Sequence, residues 1–278
     1  MAWGDIVTGA LQYLDDSGTA LGVVQGGSLS INPNVQVESG IGGQSSAQGG
    51  RIETVLTADL LEPVLSYITG MPRATVSTQS TAYTLETGTD GGDYNLTRVQ
   101  PAGFTFGASA EGRLPTCQLR YWAAKIAEAA TGSSQSAPSG LTDCWFDFDV
   151  AIDGSDYGCQ NFSVSMDAGP SWYGSLDAKS STDKRFPRAV ILAGGGDKWS
   201  LSLGLAKKIP AATSLILADA IDEDIDIVIA GSGITFTLSS LLTPTETGPF
   251  EGGDGIVIYQ YEFQAKPGYG LCTVGATV

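Results

Sequence analysis

The feature that most constrains this chain is a ten-residue segment that occurs twice. Residues 24–33 read VQGGSLSINP and residues 159–168 read CQNFSVSMDA, a constant 135 positions later. Polar and apolar residues alternate in both copies, the period-two pattern of a strand with one buried face. The shared polar residues are Gln25, Ser28 and Ser30 in the first copy and Gln160, Ser163 and Ser165 in the second.

Three further matches accompany this segment in the same order. Leu11 and Tyr13 match Phe146 and Phe148 upstream. Downstream, the paired sequences are GFTF at 103–106 with GITF at 233–236, and LRYWAAK at 119–125 with YQYEFQAK at 259–266. Four ordered matches whose separation drifts slightly are what a duplicated domain with loop insertions produces, so we predict an internal duplication.

Length and composition agree with two β-rich domains. The chain has 278 residues, enough for two cores, with 37 Gly and only 16% charged residues. Residues 131–140, TGSSQSAPSG, have a linker composition. We therefore predict a mainly β fold with domain 1 at 1–132, a linker at 133–140 and domain 2 at 141–278.

Hydrophobic spacing predicts the secondary structure. Leu61, Val64, Leu65 and Ile68 have helical spacing, so a helix is predicted over 58–69, with Thr57 or Asp59 as its cap and Gly70 as its stop. The Asp153-Gly154 turn predicts a hairpin over 144–166. The other predicted elements are a hairpin at 6–13 and 22–31, long loops at 33–50 and 168–187, a helix at 210–220, and strands at 51–57, 74–86, 94–99, 103–109, 116–123, 189–192, 198–206, 225–229, 233–238 and 255–266.

The charge balance bears on the class of partner. There are 30 acidic and 14 basic residues, and the net charge is −16. This argues against a nucleic-acid binder, because binding to phosphates requires a basic surface. It is compatible with a surface that DNA passes without adhering.

The sequence offers little catalytic chemistry. Without histidine, Ser/His/Asp and Cys/His nucleophile systems and most zinc sites are excluded. The acidic run 222–226 and the glycines of 194–196 are interpreted as turns, and calcium at 90–93 or 251–255 is a minor alternative. We predict no enzyme activity, no cofactor and no metal site, and free, mostly buried thiols at Cys117, Cys144, Cys159 and Cys272.

The sequence shows no signal-peptide pattern and no apolar run of membrane-spanning length, so we expect a soluble product made in the cytoplasm and no membrane partner. Half of the basic residues fall in one region. They are Lys179, Lys184, Arg185, Arg188, Lys198, Lys207 and Lys208. An ordinary solvated loop explains such a region, and so does a contact with another acidic copy of the chain.

The order of elements resembles the tail tube protein family of tailed bacteriophages. The residues that carry the resemblance are Ile152-Asp153-Gly154, then QNFSVS at 160–165, and WSLSL at 199–203. The resemblance covers the second half directly and the first half through the repeat. It implies two tandem tail-tube-like domains, each a β-sandwich or partial barrel with one short helix, that contribute strands to a closed oligomeric barrel.

The resemblance also implies a function. In the family, six domains form a ring and rings stack into a tube, so a two-domain chain would form a trimeric, pseudo-hexameric ring. The protein would be a structural virion component of the phage tail, made in the host cytoplasm. Its partners would be other copies of itself, the tape measure, tail terminator and distal tail proteins, and DNA passing without specific binding through an acidic lumen. Terminator and distal-tail proteins share the fold and stay open as alternatives.

The long loops are the predicted contacts between stacked rings. A polar loop that carries aromatic residues and cations is typical of an interface. The candidate residues are Ile41, Gln44, Trp172, Tyr173, Lys179, Lys184, Arg185 and Arg188. The alternative function is a two-domain β-sandwich adhesin or capsid decoration protein, which would share the composition and the repeat. Such a protein would be monomeric or singly trimeric and would not polymerise end to end.

Overall fold

The computed structural model describes residues 12–14, 20–39, 45–75, 83–89, 92–110, 113–129, 148–174, 185–209, 225–231, 233–242, 244–251 and 257–276. The mainly β prediction is confirmed, and the sheets are antiparallel. The elements are β1 (Gln12–Leu14), β2 (Gly22–Asn32), β3 (Val35–Ser39), β4 (Ser45–Gly49), β5 (Glu53–Pro63), α1 (Leu65–Thr69), β6 (Tyr83–Thr89), β7 (Gly92–Ser109), β8 (Arg113–Ala129), β9 (Phe148–Ile152), β10 (Ser155–Asp156), β11 (Cys159–Asp167), β12 (Pro170–Tyr173), β13 (Ala189–Leu192), β14 (Lys198–Leu205), β15 (Ile225–Gly231), β16 (Ile234–Leu241), β17 (Thr245–Glu251), β18 (Val257–Gln264) and β19 (Cys272–Ala276).

A ten-stranded sheet, the main sheet, joins strands from both halves of the chain. Its main path runs β17-β18-β14-β11-β7-β8-β5-β2, and β6 and β1 continue from β7. A second sheet has the order β10-β9-β15-β16-β19. Two-stranded ribbons follow β2 and β11: the first ribbon is β3–β4 and the second ribbon is β12–β13.

Alternating burial along the strands places the core between the sheets. In β11 the buried positions are every second residue, Phe162, Val164 and Met166. Phe106 of β7 packs against Phe236 of the second sheet, with ring centroids 5.2 Å apart. The apolar faces of the two sheets thus share one continuous core.

The strand order of the first half recurs in the second. The path β2-β5-β8-β7 matches β11-β14-β18-β17, and β7-β6-β1 matches β16-β15-β9. The ladder register repeats as well: Tyr83 lies opposite Val99, and Ile225 opposite Leu241, with each residue 142 positions after its counterpart. Both ladders shift register directly after this pair.

Two rare backbone conformations repeat at the same places. Arg98 and Ser240, 142 positions apart, have φ angles of 56° and 59°. Asn34 and Gly169, 135 positions apart, have φ angles of 43° and 60°. A positive φ is unfavourable for residues other than glycine, so its recurrence at matching positions of the two halves is a specific structural correspondence.

The halves differ in how continuous their longest strands are. β7 and β8 are uninterrupted strands of 18 and 17 residues. Their counterparts in the second half are each divided in two, β7 into β16 and β17 and β8 into β18 and β19. The division sends β16 and β19 into the second sheet.

Several local predictions were wrong. The helix predicted over 58–69 is confined to Leu65–Thr69, because β5 extends to Pro63. Thr54, Leu56, Ala58 and Leu60 are buried in alternation, so period two prevails over the helical spacing. The backbone N–H of Gly70 caps the helix, as predicted for its end, but the residue at its start is Val64, without a side-chain cap.

The second-half hairpin was also misplaced. Asp153 and Gly154 do form its turn, but that turn joins β9 to the two-residue β10. β11 leaves for the main sheet, where Cys159 lies opposite Leu205. The predicted loop 168–187 begins with a strand, β12, which pairs with β13. The helix predicted over 210–220 lies outside the described residues.

Three of the four sequence matches are out of register in the structure. Tyr13 takes the place of Val150 and not of Phe148, and Arg120 takes the place of Glu262 and not of Gln260. The third is the Gly-x-Thr-Phe match. GITF at 233–236 belongs to β16 and GFTF at 103–106 to the part of β7 that pairs with β11. The ladder register instead places Gly103 in the position of Thr245, since their partners Arg120 and Glu262 also correspond.

Candidate assembly surfaces

The two halves meet at the internal junction, the antiparallel ladder between β7 and β11. It pairs seven residues, from Asn161 opposite Ser109 to Asp167 opposite Gly103. The backbones approach closely at its end: a Cβ at Gly103 would lie 2.1 Å from the carbonyl oxygen of Met166. Glycine is therefore required there, and the ladder joins the half-sheets without an edge between them.

The second ribbon extends from the internal junction over the first half. Trp172 of β12 stacks on Trp122 of β8, with ring centroids 4.5 Å apart and an interplanar angle of 20°. Arg98 Nη1 donates to the carbonyl oxygen of Arg188 at 2.9 Å, and the Arg188 N–H donates to the carbonyl oxygen of Tyr173 at 2.8 Å. These contacts attach the ribbon to β7 and β8.

A buried ion pair also joins the halves. Arg73, in the loop after α1, donates from Nε to Asp197 Oδ1 at 2.7 Å and from its backbone N–H to Oδ2 at 2.8 Å. The guanidinium lies 5.3 Å from the ring centroid of Tyr269. Both side chains of the pair are almost fully buried, so the loss of either would leave an uncompensated buried charge.

Sequence reasoning missed this ion pair. The turn at 194–196 was predicted, and it has a specific cause, because a Cβ at Gly196 would lie 2.6 Å from the carbonyl carbon of Gly268. The glycines signal a close backbone approach. The partner of Asp197, 124 positions away, leaves no signal in a single sequence.

The main path of the main sheet ends at β2 and β17, and neither strand pairs on its outer side with another strand in the part of the chain that the structure describes. These outer sides are called the open edges. Apolar residues in β2 and in β18, the strand next to β17, are exposed although their counterparts are not. Ile31 is 44% exposed, whereas Met166, its counterpart in β11, is 0% exposed. Val257 of β18 is 39% exposed, and its counterpart Pro115 in β8 is buried.

The face of the main sheet opposite the core is polar. Ladder partners share a face, and the described residues on this one carry mainly hydroxyl and amide groups. They include Ser28, Ser30, Asn32, Glu53, Thr57, Asp59, Thr105, Thr116, Gln118, Arg120, Asn161, Ser163, Ser165, Asp167, Lys198, Ser200, Ser202, Gln260, Glu262 and Gln264. With four carboxylates and two cations among them, these residues carry a net charge of about −2.

Polar contacts cross this face between neighbouring strands. Arg120 Nη2 lies 3.6 Å from Asp167 Oδ2, and the hydroxyl oxygens of Ser165 and Ser200 are 3.2 Å apart. The Gln118 amide donates to Asp59 Oδ1 at 2.8 Å. Some of the polar side chains on this face of the main sheet thus pair with one another.

The structure places the sequence-predicted site residues in different settings. The repeated strand residues lie on β2 and β11, which have matching places in the strand order. Both Trp172 and Tyr173 lie on β12 of the second ribbon, where Trp172 is half-buried and Tyr173 is 49% exposed. Arg185 and Arg188 contact the first half of the same chain. Ile41, Gln44, Lys179 and Lys184 lie outside the described residues, and an inter-ring role stays a prediction for the whole set.

The described cysteines, Cys117, Cys159 and Cys272, are free thiols. Burial raises the pKa of Cys159 to about 12 and that of Cys272 to about 11, and it raises the pKa of Cys117 as well. Buried thiols of raised pKa are unreactive near neutral pH because the thiolate is the nucleophile. Cys144 lies outside the described residues.

Among the described residues, no group of three or more Cys, Asp or Glu side chains is arranged to hold a metal ion. No helix among them is long and apolar enough to cross a membrane. No protein-family model matches the sequence, and no curated protein shows significant similarity to it.

Proposed function

We propose that this protein is a self-assembling structural subunit that forms closed rings, which stack into a tube of the kind that phage tail tube proteins build. The observation that most directly supports this proposal is the internal junction. It joins two half-sheets of the same strand order and leaves a β2 edge and a β17 edge that correspond to β11 and β7. The β2 edge of one copy can therefore pair with the β17 edge of the next in the register that joins β11 to β7. At Thr245 the strands would lie farther apart, because its Cβ excludes the close backbone approach that Gly103 makes.

A duplication explains this correspondence. The recurring ladder register, its shared register shift and the two positive-φ pairs follow from one ancestral domain present twice. If the interface between the two copies in one chain recurs between chains, the contact is heterologous. Such a contact produces a closed ring when the rotation between successive copies closes. The number of three chains comes from the family resemblance, in which a ring contains six domains.

The internal junction also gives the expected register between copies. Within the chain, Ser165 lies opposite Thr105. Their counterparts are Ser30, 135 positions before Ser165, and Thr247, 142 positions after Thr105. In the assembled ring, Ser30 of one copy is expected opposite Thr247 of the next.

The polar face suits a passage for DNA. A ring closed through these edges would turn one face of the main sheet inward, and the apolar face is already covered by the second sheet. The remaining face has neutral hydroxyl and amide groups and no excess of cations, so a phosphate backbone would find no array of counter-charges. The acidity expected of the lumen would be slight at the described positions.

The proposal is tested by disulfide formation between Ser30→Cys and Thr247→Cys. Ladder partners lie within disulfide range, so oxidation should link copies into covalent trimers, seen on non-reducing gels, with rings or tubes in negative-stain electron micrographs. Ser165→Cys with Thr105→Cys is the matched control, because the same pair lies within one chain and should give only intramolecular closure.

Other outcomes contradict the proposal. A monomer that forms no cross-links at any concentration would favour the adhesin or decoration-protein alternative. Cross-linked dimers that do not close would exclude a ring of three chains.

A further inference from the structure

Each ribbon has, at its base, a pair of backbone carbonyls that accept hydrogen bonds from an arginine. At the second ribbon, Arg73 donates from Nη1 to Ala193 at 3.0 Å and from Nη2 to Ala168 at 3.1 Å. At the first ribbon, Arg185 donates from Nε to Gly50 at 3.2 Å and from Nη2 to Pro33 at 3.1 Å.

The two carbonyl pairs occupy corresponding places. Pro33 follows β2 directly, and Ala168 follows β11 directly, 135 positions later. The Gly50 N–H donates to Asn34, and the Ala193 N–H donates to Gly169, the residues with positive φ. A ladder ends at each place, so its outermost carbonyls need other donors.

The two arginines differ in setting. Arg73 is buried with Asp197, so its contact is part of the core of the chain. Arg185 is exposed and lies beside the second ribbon, and its own carbonyl accepts from the Ile52 N–H at 2.7 Å. Arg51 Nη1 reaches the carbonyl oxygen of Trp172 at 3.4 Å. The second ribbon of the chain is thereby connected to the base of the first.

We propose that Arg185 is a positioning residue for self-assembly, which sets the direction in which the first ribbon leaves the β2 edge. A planar guanidinium that donates to two carbonyls fixes their relative orientation. With its direction set, the first ribbon is ready to lie over β17 and β18 of the next copy, as the second ribbon lies over β7 and β8. This inference rests on the proposed ring and names the residue that prepares its interface.

If Arg185 orients the first ribbon before docking, its removal should weaken association between copies without changing the fold of the chain. Removing the guanidinium should leave the core intact and make the first ribbon more variable, so that docking carries a larger ordering cost. Val35, the first residue of this ribbon, is 58% exposed in the monomer, and it is expected to become covered on docking.

The experiment compares Arg185→Ala, Arg185→Lys and the control Lys207→Ala, which removes one exposed cation elsewhere. Below the assembly concentration, hydrogen exchange of residues 33–52 should be faster in both Arg185 variants, with Tm unchanged. The critical concentration for ring formation should rise about tenfold in both, which corresponds to about 1.4 kcal/mol. Lysine retains the charge but not the fork, and Lys207→Ala should match the wild type.

Each of the other possible results would contradict a different step of this proposal. Unchanged exchange in Arg185→Ala would show that Arg185 does not hold the first ribbon. Faster exchange with an unchanged critical concentration would remove its role in assembly and leave the ring proposal intact. A wild-type protein that forms no rings would instead refute the proposed function, and any assembly role of Arg185 with it.

Discussion

β2 and β11 have corresponding sequences and places in the strand order but opposite surroundings. β11 lies between β7 and β14, and its alternate residues are buried. β2 pairs with β5 on one side and with none of the described strands on the other, and Ser28, Ser30 and Ile31 are exposed. β2 therefore has the sequence pattern of a strand in the interior of a sheet, although it lies at the end of the main path. An open edge with apolar residues promotes pairing with another chain unless it is protected, which supports a use in assembly.

The largest expected effect comes from truncating the corresponding apolar residues. Met166→Ala should lower the free energy of unfolding by about 2–5 kcal/mol, because it creates a cavity in the core. Ile31→Ala should change it by less than about 0.5 kcal/mol in the monomer, yet raise the critical concentration for assembly. Urea unfolding below the assembly concentration and sedimentation above it measure the two effects. Equal destabilisation by both substitutions would end the distinction between the strands.

A smaller difference in stability is expected between substitutions at Gly103, where the backbones of the internal junction approach closely, and at its counterpart Thr245. Gly103→Ala places a Cβ against the Met166 carbonyl and should destabilise the monomer by about 1–3 kcal/mol. Its counterpart Thr245 already carries a Cβ in an exposed position, so Thr245→Ala should leave the monomer unaffected. Thermal unfolding of the two variants measures this contrast. If Gly103→Ala is neutral, the internal junction is more adaptable than its geometry indicates.

A third difference between the strands is a pH dependence of stability that β11 should show and β2 should not. β11 begins with Cys159, where β2 has Val24. Because burial raises the pKa of Cys159 to about 12, the thiol stays protonated in the folded state while the unfolded state loses its proton above about pH 8.5. The unfolded state then binds fewer protons, so stability should fall as pH rises from about 9 to 12, by at most about 1.4 kcal/mol per unit.

Cys159→Ala isolates this contribution. Unfolding measured at several pH values between 8 and 11 should show a shallower decline in the variant than in the wild type. Lysine and tyrosine titrations affect both proteins equally and cancel in the difference. Identical slopes would mean that Cys159 ionises normally in the folded state.

The sequence was informative where one local pattern dominated. Ser28 and Ser30 alternate with apolar residues, as do Ser163 and Ser165, and both segments are strands in matching places. It misled where two periods overlap in β5, whose C-terminal end continues into helical spacing. A Gly-x-Thr-Phe match was too short to distinguish β16 from the end of β7.

The parts of the candidate site that escaped prediction depend on distant residues. Arg73 meets Asp197 across 124 positions, and Arg185 meets Pro33 across 152. No local spacing encodes such contacts, because they exist only once both halves are placed in one sheet. The exposure of Ile31 was equally hidden, since its sequence context is that of the buried Met166.

The buried pair of Arg73 and Asp197 has a consequence for the order of events during synthesis. When the first half has emerged from the ribosome, Arg73 lacks its partner Asp197 and β7 lacks its partner β11. Both partners are synthesised later. Contacts of such long sequence separation form slowly, and an unfilled strand edge invites a wrong partner meanwhile. On a polysome, the nearest β11 can belong to another nascent chain. We therefore expect the fraction of domain-swapped chains to depend on how long the first half waits for β11. The rate of translation and the binding of a holding chaperone would both change that fraction.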